Sequence, residues 1–105
     1  FLQSSIPRMH VGPFNIQKYD EGGHFNKVHA ERTSLHTLHR VLAWMTYLND
    51  VPEGGETEFP MFGLKIDPEQ GKTLIWPAEW THAHKGNAVT AGSKYIVTGW
   101  MNFSE

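Results

Sequence analysis

RVLAWMTYLN, residues 40–49, is long enough for a helix, and its period decides the fold class. Arg40, Leu42, Trp44 and Thr46 alternate with Val41, Ala43, Met45 and Tyr47, and both sets are largely apolar. That alternation suits a strand covered on both faces. Outward from it, Gly and Pro recur at short intervals: Gly12-Pro13, Gly22-Gly23, Pro52 to Gly55, Pro60 to Gly63, Pro68 to Gly71, Gly86 and Gly92. In Asp67-Pro68-Glu69-Gln70-Gly71 the turn has a mechanism, since Pro presets φ and Gly accepts positive φ. Strands are expected at 14–19, 24–29, 40–49, 56–59, 64–67, 72–76, 83–89 and 94–103. Short apolar runs rich in aromatic and β-branched residues, punctuated this often, read as an all-β sandwich or barrel rather than βαβ units. Eight antiparallel strands in two sheets is the jelly-roll number.

The chain has 105 residues, enough for one core and not two. Four Trp, six Phe and three Tyr supply its large apolar pieces. The net charge of −2, with Lys and Arg scattered, argues against a nucleic-acid partner. No apolar run approaches the ~20 residues that span a bilayer, so no membrane partner is expected. No signal peptide is visible, and the expected location is cytoplasmic. With no Cys, disulfides and thiolate metal sites are excluded. The first residue is Phe rather than Met, so residues 1–105 are read as a single catalytic core lacking part of its N-terminal region.

Seven His is a high count for this length, and most are expected to do nothing chemical. KVHAERTSL, residues 27–35, sets His29 and Glu31 one residue apart. At a strand end, positions i and i+2 share a face and could aim at one cation. Two His and one carboxylate form the facial triad of non-haem Fe(II) oxygenases, and THAHKG offers His82 or His84 as the second imidazole. The two share strand parity, so either could serve. His36 and His39 read as loop or lid residues, Arg40 as a support for the barrel end, and Trp76, Trp80 and Trp100 as core or cavity wall.

Over nearly the whole chain an ordered set of residues carries a more specific signal. It runs Tyr19, Gly22, His29, Glu31, Arg40, then YLND at 47–50, GGETEFP at 54–60, His84, Val89, Gly92, Lys94, Tyr95 and Trp100. In these residues the chain resembles the Fe(II)- and 2-oxoglutarate-dependent oxygenases of the prolyl 4-hydroxylase-like group. The resemblance implies a double-stranded β-helix, a jelly-roll relative. It implies His29, Glu31 and His84 as iron ligands, the ten-residue spacing from His84 to Lys94 deciding between the two histidines. It implies Lys94 and Tyr47 at the C5 carboxylate of 2-oxoglutarate, with Tyr19 and Thr98 lining that pocket. A cation there makes sense, because a carboxylate inside a barrel must be paired. The family's usual first motif is HxD, and Glu31 is one methylene longer. The implied reaction converts 2-oxoglutarate and O₂ to succinate and CO₂ while hydroxylating a C–H bond of a peptide or small-molecule substrate. Fe(II) and 2-oxoglutarate are the implied cofactor and cosubstrate, with ascorbate as reductant. The competing reading is a jelly-roll module that holds a metal and a ligand without oxidising anything.

Overall fold

Residues 8–24 and 27–103 are described by a computed structural model of the chain. The alternation in 40–49 becomes a strand, β2 (Arg40–Tyr47). Its inward residues Ala43, Met45 and Tyr47 are buried, with Tyr47 at 0% exposure. The outward Leu42, Trp44 and Thr46 are only half-buried. Cover on both faces is thus complete on one. On the other, Phe14 leans over Trp44 with ring centroids 6.4 Å apart, and Phe14 is itself exposed.

The remaining strands, in chain order, are β1 (Met9–Tyr19), β3 (Glu53–Gly54), β4 (Thr57–Phe59), β5 (Leu64–Ile66), β6 (Thr73–Pro77), β7 (Lys85–Gly86), β8 (Val89–Ala91) and β9 (Lys94–Phe103). The long strand β9 pairs antiparallel with β1 on one side and β2 on the other, giving a four-stranded sheet in the order β1-β9-β2-β6. Opposite it lie a three-stranded sheet, β5-β4-β7, and the β3-β8 pair. Ala43, Met45, Tyr47, Trp76 and Ile96 of the large sheet pack with Phe59 of β4 as the core. Phe59 meets Trp76 edge-on, centroids 5.4 Å apart, a preferred aromatic geometry. The architecture is all-β, as expected from the punctuation.

Register decides what the core encloses. Tyr19 pairs with Lys94, Met45 with Thr98 and Ala43 with Trp100. Residues at even spacing share a face, so Lys94, Ile96, Thr98 and Trp100 all look inward from β9.

Two expected strands come out differently, and one short strand, β3, lies outside every expected run. At 24–29 the described residues hold only one isolated bridge, His29 with His84, and residues 25 and 26 lie outside them. The run 83–89 splits into β7 and β8, interrupted where the Asn87 N–H turns aside to the Glu56 carbonyl. The two-residue β3 carries no alternation to detect. It depends on Gly54, with φ 78°, where a Cβ would lie 2.2 Å from the Ala88 carbonyl oxygen. Among the described residues no helix is long and apolar enough to cross a membrane.

Candidate active site

His29 and His84 come from different loops and are joined by their own backbones. The His29 N–H donates to the His84 carbonyl and the His84 N–H to the His29 carbonyl, both at 2.9 Å. This reciprocal pair fixes the two rings 4.3 Å apart. Each ring is then oriented by its Nδ1, held 2.9 Å from the Lys27 carbonyl in His29 and 3.0 Å from the His82 carbonyl in His84. An Nδ1–H donating to a carbonyl leaves Nε2 as the lone-pair atom, the tautomer a metal requires. Glu31 closes the group: its Oε1 lies 2.9 Å from His84 Nε2 and 3.5 Å from His29 Nε2. One ligand atom from each residue falls within 4.8 Å of the others.

The charges agree with that geometry. Burial pushes the Glu31 carboxyl up, but hydrogen bonds and charge from His29 and His84 outweigh it and hold the group well below the usual carboxylate range. His29 is raised, first by its hydrogen bond to Glu31 and against the effect of burial. Two imidazoles converging on one carboxylate attract a positive charge, a proton or a divalent ion. One carboxylate and two imidazoles within that reach are a donor set that fits Fe(II).

His82, the alternative by parity, sits in a 3₁₀ turn, Trp80–His82, that breaks the strand. Its Nδ1 is 2.9 Å from the Thr81 hydroxyl and its ring lies against Phe62, centroids 5.0 Å apart. It therefore faces an apolar cleft between β5 and β6 rather than Glu31. Trp80 is 68% exposed, so it is neither core nor cavity wall. Trp76 and Trp100 do line the site.

A cavity of about 280 Å³ opens from the His–Glu group. Gln17, Tyr19, Met45, Thr57, Trp76, Lys94, Ile96 and Thr98 wall it, a size suited to a small metabolite. Lys94 is 4% exposed, and its ammonium donates to the Gly55 carbonyl at 2.9 Å. Burial lowers its pKa to about 8, with the charge of Glu56 partly opposing. No carboxylate among the described residues forms an ion pair with it, so a buried cation lines the cavity with only the more distant charge of Glu56 to balance it. That is the chemistry a dicarboxylate fits. The Tyr19 ring lies 5.2 Å from Lys94 Nζ, and the Tyr19 hydroxyl donates to Gln17. Thr98 is on the wall, but its hydroxyl is committed to the Trp44 carbonyl.

Tyr47 is placed differently from its neighbours. It is fully buried behind the cavity wall, its hydroxyl 2.5 Å from Thr57 Oγ1, and Thr57 is the residue that reaches the cavity. Burial raises the Tyr47 phenol, so it stays protonated. Thr57 is not singled out by the sequence, although it sits inside GGETEFP.

A family profile described as the 2OG-Fe(II) oxygenase superfamily matches residues 14–102. The probable prolyl 4-hydroxylase 9 of Arabidopsis thaliana is 30% identical, over 91% of this chain and 42% of its own length, so the chain spans less than half of that relative. Among solved structures, the viral collagen prolyl hydroxylase of Paramecium Bursaria Chlorella virus-1, as its 2OG complex, superposes with a TM-score of 0.81. It shares 22% identity, covering 98% of this chain and 65% of the viral one. A prolyl hydroxylase of Trichoplax adhaerens, bound to a hypoxia inducible factor peptide, gives 0.73 at 19% identity over 89% of this chain and 46% of its own. These likenesses extend the jelly-roll reading to the double-stranded β-helix. The match spans β1 to β9 and takes in the His–Glu–His group and its cavity: the chain belongs to the 2OG-Fe(II) oxygenase superfamily and is prolyl 4-hydroxylase-like.

Proposed function

We propose that this chain is the catalytic core of an Fe(II)- and 2-oxoglutarate-dependent dioxygenase, with His29, Glu31 and His84 as its metal ligands. The observation that carries the reading is the shared cavity. One end holds the two-imidazole, one-carboxylate group, and the other holds a buried Lys94 with no carboxylate partner among the described residues. Iron bound there would supply the oxygen chemistry that couples decarboxylation of 2-oxoglutarate to hydroxylation of a C–H bond.

The chain's own residues do the rest. The Nδ1 bonds hold both imidazoles with Nε2 inward, and Glu31 brings the negative charge that a divalent ion needs. The Lys94 ammonium holds the far carboxylate of the cosubstrate, with the Thr57 hydroxyl beside it and Tyr47 fixing that hydroxyl from behind. Tyr19 and Thr98 wall the pocket, while Met45, Ile96 and Trp76 exclude water. O₂ is the second cosubstrate and ascorbate the reductant that sustains turnover. The first substrate to try is a proline-containing peptide, on the strength of the prolyl hydroxylase relatives and the peptide-bound Trichoplax structure.

The test is succinate formation from 2-oxoglutarate with Fe(II), O₂ and ascorbate, with and without proline-rich peptides. Uncoupled succinate supports the dioxygenase, and peptide-stimulated succinate supports the prolyl substrate. If the protein forms no succinate yet still binds metal and 2-oxoglutarate, the non-oxidising module takes its place.

A further inference from the structure

We infer that Trp100 and Arg40 form a clamp on Glu31 that fixes it as a one-oxygen metal ligand. The inference rests on the metal-centre reading above and concerns what holds the longer carboxylate in place. Glu31 sits on irregular backbone, outside any strand, with one more rotatable bond than an aspartate would have. A side chain of that length can offer a metal one oxygen or two. Left free, it would also lose entropy on coordination.

Three contacts remove that freedom. The Trp100 indole N–H donates to Glu31 Oε2 over a long 3.3 Å, while Oε1 faces the two imidazoles. The Arg40 guanidinium stacks 3.8 Å over the Trp100 ring. The same guanidinium donates to the Glu31 backbone carbonyl at 3.2 Å, so it ties the indole to the main chain of its target. The strands place all this. Trp100 lies on the inward face of β9 opposite Ala43, and a register shift between Arg40 and Leu42 frees the start of β2 to bend toward the 31–40 loop. With Oε2 turned to the indole, Oε1 is the oxygen presented to the cation site. Trp100 and Arg40 are positioning residues here: each acts through Glu31.

Co²⁺ is the probe, because its visible spectrum reports coordination number without turnover. Trp100→Phe keeps a ring under Arg40 but removes the N–H. It is expected to weaken Co²⁺ binding about 10–100-fold, the usual effect of losing such a supporting contact. The spectrum of the metal-saturated variant should also shift, with Oε2 free to coordinate. Arg40→Met should weaken Co²⁺ binding by less. The double variant should fall short of the product of the two losses, since both act through one carboxylate. If Trp100→Phe fails to fold, as melting of the metal-free protein would show, Arg40→Met carries the test by the same spectrum. Unchanged affinity and spectrum in the folded variants, beside a parent that binds Co²⁺, would overturn the clamp. A parent that binds no Co²⁺ would sink the metal centre itself, and the clamp with it.

Discussion

Lys94 makes a quantitative prediction, because the structure gives it a cost and a purpose that pull in opposite directions. Its ammonium is buried with one carbonyl as hydrogen-bond partner, and burial brings its pKa from 10.5 to about 8. A displacement of that size corresponds to about 3 kcal/mol against the charged form. The sign follows from proton counting. Between pH 8 and 10.5 the unfolded chain holds the proton and the folded chain has lost it, so the stability of the ligand-free protein rises with pH across that window. Below pH 8 the penalty stands in full. A carboxylate bound beside Nζ reverses the preference and draws the proton back. Affinity for 2-oxoglutarate should therefore be flat below pH 8 and weaken toward tenfold per unit above it, by about tenfold from pH 7 to pH 9. Lys94→Arg keeps its charge throughout and should bind with no such slope. Lys94→Met should lose 2-oxoglutarate affinity by about 2–5 kcal/mol, the cost of stranding a buried charge. In return, the ligand-free protein should gain about 1–2 kcal/mol at pH 7, since the hydrogen bond to Gly55 offsets part of the burial penalty. For a chain this size that gain is worth roughly 4–16 °C in Tm. Calorimetric titration of 2-oxoglutarate at pH 6 to 9, with melting curves of the three proteins, supplies both readings. A slope that survives in Lys94→Arg, or a Lys94→Met protein that binds 2-oxoglutarate as the parent does, would refute the pairing.

The proposed metal ligands should separate cleanly from their neighbour. His84→Ala and Glu31→Ala should each abolish stoichiometric Fe(II) binding, while His82→Ala, which removes a ring packed on Phe62, should retain it; metal analysis after gel filtration decides. Tyr47→Phe strands the Thr57 hydroxyl and should cost about 1–2 kcal/mol of stability by urea titration. It should weaken 2-oxoglutarate binding by less than Lys94→Met does, and an equal loss would put the phenol itself on the cosubstrate. Gly55→Ala meets two obstacles, a φ of 74° and a Cβ placed 3.1 Å from Lys94 Cδ. Melting temperature and 2-oxoglutarate affinity should fall together, and a normal affinity would mean that Lys94 moves aside without consequence.

What the sequence disclosed and what it withheld divide along the regularity of the backbone. The period-two pattern of 40–49 and 94–103 is local, and both runs became strands that bear the core and the inward row Lys94, Ile96, Thr98 and Trp100. The His–Glu group had no such local source. His29 and Glu31 lie outside any strand, and what aligns His29 with His84 is a two-bond bridge between residues far apart in the chain. The nearness of His29 and Glu31, expected from a strand face, is reached here without a strand. Parity failed for the same reason at residues 82 and 84, where a 3₁₀ turn between Trp80 and His82 sends one imidazole to the apolar cleft and the other to Glu31. The family pattern separated the two histidines where periodicity could not, because a ten-residue spacing to Lys94 encodes the course of β7 and β8 without describing it. It set Tyr47 beside the cosubstrate, and the intervening Thr57 emerges only once β4 is packed against β2. Contacts made through a third residue, such as Tyr47 through Thr57 or Arg40 through Trp100, leave no mark on spacing or alternation. They exist only as distances, and they are where substitutions in this chain should tell apart a side chain that touches a ligand from one that aims another.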